Sequence, residues 1–448
     1  KKVSAERNIT YTFTETGISF LTLIVTDTVT GLEYGQRFQV NVANTFLKGW
    51  LLLSENDGSS SISYIDGRTF EASENIYAKL FPEDPLGGQP VRLRESCIAK
   101  SDQITVIQNG GSVTLDGSTF RKVAALSQEF IGGEYPSEQG GFKVSDVIYT
   151  HRGPDMVLSE GGLLYDRVNE KGLTSSSAKF QSSMFSTEPF IHISGDYRIT
   201  RFTYPGANSY YQLMFDDKHK RWIAYYLTNM IPSNIPIFGK GYDDDAVFDW
   251  CNGMDQSVEL IYAQTHDESS RNQGLVNIFR NGAKYYYNDA SMSLNTTNYK
   301  VTVNSSLQRE FASAYPLDNE SVYLLPRKNS SFDSNQHLFF SIGRKLYFYH
   351  AATDTYYLYR DFSAGEDSPA GNIIDIEEND TGRQMGVATT DGHIFICDID
   401  IKKLNGIRQA NIDPSDNDNG LVLAHIKTKS GRIIDLIYKF GTAKEIQK

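Results

Sequence analysis

One pattern recurs along this chain and limits its possible folds more than any composition figure does: two short apolar runs facing each other across a turn. It occurs as GWLLLSENDGSSSISYI from Gly49, ITVIQNGGSVTLDG from Ile104, DMVLSEGGLLYDRV from Asp155 and YQLMFDDKHKRWIAYYL from Tyr211. It returns as LVNIFRNGAKYYYND from Leu275, LFFSIGRKLYFYH from Leu338 and MGVATTDGHIFICDID from Met385. The turns use Gly58, Gly111, Gly162, Gly282, Gly343 and Gly392, with DDKHK as the variant, roughly 50 to 63 residues apart. Self-similarity at such a period signals a repeat architecture. Asp-Gly, Asn-Gly and Gly-Gly supply the positive φ that tight hairpins require.

A further apolar strand precedes the hairpins, as in KVSDVIYTH from Lys143, SVELIYAQ from Ser257, SVYLLPR from Ser321 and NIIDIEENDTG from Asn372. A more polar stretch such as TYYLYRDF from Thr355 completes the unit as an outer strand. Four-stranded units repeated seven times with no helical periodicity between them read as an all-β, seven-bladed β-propeller. HIFIC, WLLL, LFFSI and KLYFY lack the in-out alternation of a sheet with one wet face. Blades stacked face to face bury their inner strands on both sides, which accounts for that texture.

The two ends of the chain supply a check. The hairpin at Trp50 has no strand of the IIDI type before it, whereas GRIIDLIYKF (431–440) resembles NIIDIEE and has no hairpin after it. The C-terminal strand is therefore expected as the innermost strand of the first blade, closing the ring and removing an open edge. LVLAHIKTK from Leu421 then becomes the outer strand of blade seven. An eighth, degenerate blade on KTKSG is the alternative; seven is the expectation.

Before Phe46 the texture changes to a strictly alternating Thr/Val pattern, ITYTFTETGISFLTLIVTDTVTGLEYGQRFQVNV, as half-buried sandwich strands require. Residues 1–45 are thus expected to be a separate unit from the propeller of 46–448. YTFTETGISFLTLIVTD followed by TGLEYGQRFQVNV resembles the closing half of a PKD-type immunoglobulin-like domain. About three strands are too few to bury a sandwich core, so the front half is expected to lie upstream or to be missing from this chain. Together with LKGWLLLSENDGSSSISYI and the terminal GRIIDLIYK, the fragment resembles the PKD-like lipoproteins of Bacteroidetes. That resemblance implies a cell-envelope location, outer-membrane lipoprotein anchoring through a cysteine upstream of this chain, and association with glycan or nutrient uptake systems. It assigns no catalytic residue.

A formal net charge of −12 over 448 residues argues against nucleic acid or an anionic membrane surface as partner. No run is long and apolar enough for a spanning helix. Cys97, Cys251 and Cys397 are odd in number and far apart, without metal or redox spacing, and read as buried single thiols.

No metalloprotease, nucleophile-elbow, phosphate-loop or dinucleotide fingerprint occurs. No catalytic residue, metal ligand or cofactor is expected. The eight histidines are scattered singly, and His350 and His393 beside strands read as structural. IGGEYPSEQGGF from Ile131 opens no helix that would aim a dipole at phosphate, and reads as a loop. DPSDNDNG (413–420) misses the spacing of a calcium loop.

GKGYDDDAVFDWCNG (239–253) is the most suggestive segment, joining Tyr242, Asp243, Asp244, Asp245 and Trp250. Sugar sites pair an aromatic face with carboxylates that accept hydroxyl hydrogen bonds. The competing reading makes Phe248 and Trp250 core residues of an outer strand and the Asp run its wet turn. The expected function is a non-catalytic surface or periplasmic binding module for a glycan or an uptake partner. The alternatives are a carbohydrate-active propeller enzyme, requiring two axial carboxylates about 5 to 9 Å apart, and a protein-interaction scaffold with a broad apolar patch.

Overall fold

The computed structural model describes residues 17–42, 46–98, 101–150, 154–167, 184–189, 197–203, 209–226, 234–238, 247–266, 271–298, 300–326, 337–363 and 368–440, with a few isolated positions besides. β1 (Gly17–Thr26) and β2 (Glu33–Val42) form an antiparallel hairpin of their own, from Gly17 opposite Val42 to Thr26 opposite Glu33. The third strand expected for this fragment, at ITYTF, lies outside the described residues.

Every other strand belongs to a blade. β3 (Gly49–Asn56), β4 (Ser59–Asp66) and β5 (Ala72–Ser73) belong to the first, followed by the short α1 (Ile76–Leu80). The second is β6 (Gln89–Ile98), β7 (Ser101–Asn109), β8 (Val113–Asp116) and β9 (Lys122–Ala125). The third contains β10 (Val144–Ile148), β11 (Asp155–Ser159) and β12 (Leu164–Arg167). The fourth is β13 (Ile199–Phe202), β14 (Tyr211–Asp216), β15 (Arg221–Tyr226) and β16 (Asn234–Phe238).

The fifth is β17 (Val258–His266), β18 (Asn272–Asn281), β19 (Lys284–Asn295) and β20 (Lys300–Phe311), of which β18, β19 and β20 are longer than their counterparts. The sixth is β21 (Tyr323–Leu324), β22 (His337–Ile342), β23 (Lys345–His350) and β24 (Thr355–Asp361). The seventh is β25 (Ile373–Glu378), β26 (Gln384–Thr389), β27 (His393–Asp398) and β28 (Val422–Lys427). Finally β29 (Arg432–Lys439) returns to β3, with Tyr438 opposite Trp50 and Leu436 opposite Leu52. The ring thus has seven blades and closes through its C-terminal strand.

Packing follows from two-sided burial. Leu51 and Leu53 turn toward blade 2 and meet Leu93 and Val106, while the intervening Trp50 and Leu52 turn toward blade 7 and meet Ala388, Ile394 and Ile396. The same division recurs at each junction, so that one apolar cluster lies between every pair of neighbouring blades among the described residues. HIFIC has no wet side because both its faces are interblade cores, and each fully buried Leu, Ile or Phe contributes about 1.5–3 kcal/mol.

Gly392 and Gly386 are among the glycines that close packing requires. Gly392 turns the last hairpin at φ 92°, and a Cβ there would lie 2.7 Å from the carbonyl oxygen of Thr428. Gly386 leaves space for the Trp50 ring across the closure, where a Cβ would come within 2.8 Å of it. At the variant turn Lys220 itself takes φ 51°.

Two features depart from the expected pattern. α2 (Ile401–Arg408) is inserted between β27 and β28; Asp400 caps it by accepting from Lys402 N, and Leu404 and Ile407 bury its inner side. Blades 4 and 5 are joined into one eight-stranded sheet, because β16 pairs in parallel with β20 at Ile237–Val301 and Phe238–Thr302.

Candidate functional site

The segment 239–253 divides. Tyr242, Asp243, Asp244 and Asp245 lie outside the described residues. Trp250 is a core side chain: it is 0 % exposed, in the cluster between blades 4 and 5 with Trp222, Phe248, Leu275 and Phe279. The backbone around it runs along β15, with Trp222 N donating to Trp250 O and Met254 N to Lys220 O. Gln308 on β20 holds the other side, accepting from Val247 N and Phe248 N and donating to Phe248 O. The expectation that Trp250 offers a ring face to a sugar is therefore corrected, because Trp250 lies in a turn before β17, on no strand, and fills the space between blades 4 and 5.

The other sequence candidates have structural partners. The 413–420 loop is held by a cation already in the chain, since Arg360 donates to the carbonyls of Pro414 and Asp416 and to Asn417 Oδ1. The loop from Ile131 packs by stacking Tyr135 on Phe142 at 4.8 Å and opens no helix. His350 Nδ1 lies 2.7 Å from Thr353 Oγ1, and His266 Nε2 lies 2.9 Å from Asp289 Oδ1. Cys251 and Cys397 are buried free thiols, pushed up by that burial and so unreactive.

No single blade carries a dense group of ionisable residues in its own stretch of sequence. The ring assembles one from single contributions. Six of the seven innermost strands carry a register shift at the same place: before Arg92, Asp146, Arg201, Tyr262, Asp375 and Asp435. A bulge re-aims the side chain that follows it, and five of these six then bond to the next blade. Asp375 Oδ2 accepts from Leu436 N and Asp435 Oδ2 from Leu93 N, both at 2.7 Å. Arg92 Nη1 donates to Asp146 Oδ2 at 2.8 Å, Arg201 Nη2 to Ile261 O at 3.0 Å, and Tyr262 Oη accepts from Leu325 N at 2.8 Å. The recurrence of Asp in VSDV, IIDI and IIDL was the available signal.

Electrostatics divide this belt. Burial would raise Asp146, but Arg94 and Arg92 outweigh it and hold the carboxyl low. Burial and the charge of Asp435 push Asp375 well above the usual carboxylate range. A group raised in the folded state contributes stability that is complete below its unfolded value, near pH 4, and is lost as pH rises through its folded value. The melting temperature is therefore expected to rise as pH falls from 8 to 5. Asp155, pushed by burial to about 6 against the pull of Arg167, acts in the same direction. Comparing Asp375→Asn with the parent across that range isolates Asp375: the variant's slope should be shallower, and an unchanged slope refutes the assignment.

An open recess lies between the outer strands of blades 6 and 7. About 380 Å³ in volume, it is lined by Arg360, Asp361, Ser368, Phe395, Asn417 and His425, among others. Its aromatic wall consists of Phe362 tilted by 35° on Phe395 at 4.4 Å and of Phe395 stacked on His425 at 4.3 Å with 12° between planes; the two Phe rings are buried and the His425 ring is the exposed one. His425 Nε2 is tied to His393 Nδ1 at 2.8 Å, which fixes its ring. A second, mainly polar groove at the tip of the blade 5 hairpin includes Arg271, Ser293, Thr302 and Asn304.

The profile of the PKD-like family matches residues 1–90, running past β2 into the strands of the first blade. A search of curated proteins finds no match. Among solved structures, the chain is similar to the dihydro-heme d1 dehydrogenase NirN at 11% identity and a TM-score of 0.39, over 95% of this chain and 74% of that one. It is similar to the β-propeller domain of Cps50 from Myceliophteria thermophila at 9% identity and a TM-score of 0.41, over 76% and 88%. The WD40 repeats of RRP9 follow at 10% identity and a TM-score of 0.43, over 78% and 84%. These likenesses are too distant to bear on function.

Proposed function

We propose that the protein is a non-catalytic binding module of the cell envelope that takes a glycan in the recess between blades 6 and 7. The observation that carries this reading is the exposed His425 ring, backed by the buried Phe395 and Phe362, beside Asp361, Ser368 and Asn417. Apolar sugar faces pack on such rings while hydroxyls bond to carboxylate, hydroxyl and amide groups, and ligand pockets combine a mainly apolar lining with a few placed polar groups. The envelope location, the upstream lipid anchor and the uptake complex implied by the resemblance belong to the same proposal.

Against the enzyme reading, the axial carboxylates that would have to act as acid and base are bonded to backbone amides of the neighbouring blade. A glycan array run beside a reducing-sugar release assay tests the proposal. Binding without release is expected, weakened at least tenfold by His425→Ala with little change in melting temperature. Release of reducing sugar overturns the non-catalytic reading, and binding untouched by His425→Ala overturns the site. Retention lost instead on replacing Tyr242 or Asp243, Asp244 and Asp245 with Ala moves the ligand to that segment.

A further inference from the structure

Around the axis the charges do not balance locally. Arg92 and Arg94 on β6 and Arg201 on β13 face Asp146 on β10, flanked by Asp435 on β29. Asp146 is fully spent: Arg94 grips both its oxygens through Nε and Nη2 at 2.7 and 3.0 Å, and Arg92 adds a third bond at 2.8 Å. Asp435 has an oxygen committed to Leu93 N, and burial raises it despite Arg94 and Arg92. Among the described residues three guanidinium groups thus face one well-ionised carboxylate, inside a protein whose formal net charge is −12.

Two of the three groups have capacity to spare. A guanidinium carries five N–H donors, and the side-chain hydrogen bond of Arg201 runs from Nη2 to Ile261 O. Arg201 is half-buried, and among the described residues its guanidinium makes no second hydrogen bond. Arg92 is 41% exposed although it rises from an innermost strand, and that places its guanidinium against solvent at the axis. Burial and then the charge of Arg92 hold Arg201 down to about 10, with Tyr262 and Asp146 pulling the other way too weakly to offset them.

We propose that the ring axis carries an anion site on the side of blades 2 to 4, in which Arg201 and Arg92 bind an oxyanion (carboxylate, sulfate or phosphate) of a small ligand. Guanidinium forks match the planar or tetrahedral oxygens of such groups, and a site enclosed by protein strengthens the contact relative to water. Arg94 and Asp146 form the rigid back of the site: the bidentate pair fixes the carboxylate so that Arg92 is turned toward the axis. This site is separate from the recess between blades 6 and 7, and neither depends on the other.

Isothermal titration calorimetry of the full chain tests it, with inorganic phosphate, sulfate and glucuronate as probes and chloride at matched ionic strength as reference. Saturable binding of at least one oxyanion is expected, weakened tenfold or more by Arg201→Gln and by Arg92→Gln. Arg201→Lys should fall between, keeping the charge and losing the fork. Arg68→Gln, at an 89% exposed side chain, should change nothing. If Arg201→Gln does not fold, Arg92→Gln at its more exposed position carries the test. No saturable binding of any probe overturns the proposal, as does binding that survives both glutamine variants. Binding lost on Arg271→Gln and retained in Arg201→Gln overturns it too, by assigning the anion to the blade 5 groove.

Discussion

Ending the chain after Ser430 is expected to abolish the folded ring, a larger effect than any single substitution here. The deletion removes β29, the innermost strand of blade 1, and leaves β3 with a row of unpaired N–H and C=O groups along a fully buried strand. Trp50 loses its edge contact with Tyr438 at 4.8 Å, and the cluster between blades 7 and 1 loses Ile433 and Leu436. Asp375 loses the amide of Leu436 that it accepts across the closure. At the far end Lys439, 0 % exposed, no longer reaches Leu47 O and Glu95, which leaves Glu95 a buried carboxylate without its cation.

Removing one partner of a buried pair alone costs about 3–5 kcal/mol, and two large apolar side chains add a similar amount, together close to the whole stability of a typical domain. The truncated protein should aggregate, or elute without a cooperative melting transition. A synthetic peptide covering 431–440, added in trans, should restore part of the transition by strand addition. A truncated protein that melts within a few degrees of the parent refutes closure by β29.

The ring was legible because its information is local and repeated. Glycine turns at Gly58, Gly111, Gly162, Gly282, Gly343 and Gly392 mark hairpins whatever surrounds them, and each falls between the second and third strands of its blade. The closure was legible because IIDL at 433–436 copies IIDI at 373–376, and the two strands do occupy equivalent places in blades 1 and 7. The interblade belt was not, because each strand supplies one ionisable or polar residue and only the ring brings Asp375, Asp435, Arg92, Asp146 and Arg201 to one axis. Nothing in sequence spacing relates Asp435 to Leu93, 342 positions away.

α2 was missed for a different reason. It is short and carries Gly406 in its interior, a poor helix former; that glycine is held by close approach to Ile412, where a Cβ would come within 2.5 Å. The aromatic recess also escaped, since Phe362, Phe395 and His425 come from two blades and each taken singly reads as an ordinary strand residue.

Trp250→Ala should lower stability by about 3–5 kcal/mol, the range for deleting a fully buried aromatic ring. The indole is enclosed by Trp222, Phe248, Leu275 and Phe279 from two blades, and the backbone beneath it is hydrogen-bonded to β15 on one side while Gln308 clamps its neighbour Phe248 on the other. These bonds keep the surroundings from collapsing into the space vacated, so the loss should lie toward the upper part of that range. Trp250→Phe keeps most of the volume and should cost less than about 1.5 kcal/mol. Chemical denaturation of the three proteins distinguishes a packing role from a binding one. Packing requires the Ala variant to lose several kcal/mol and the Phe variant to recover most of it, with glycan retention following the folded fraction. A Trp250→Ala protein as stable as the parent that has lost a ligand would instead return Trp250 to the surface and break the account of how blades 4 and 5 are joined.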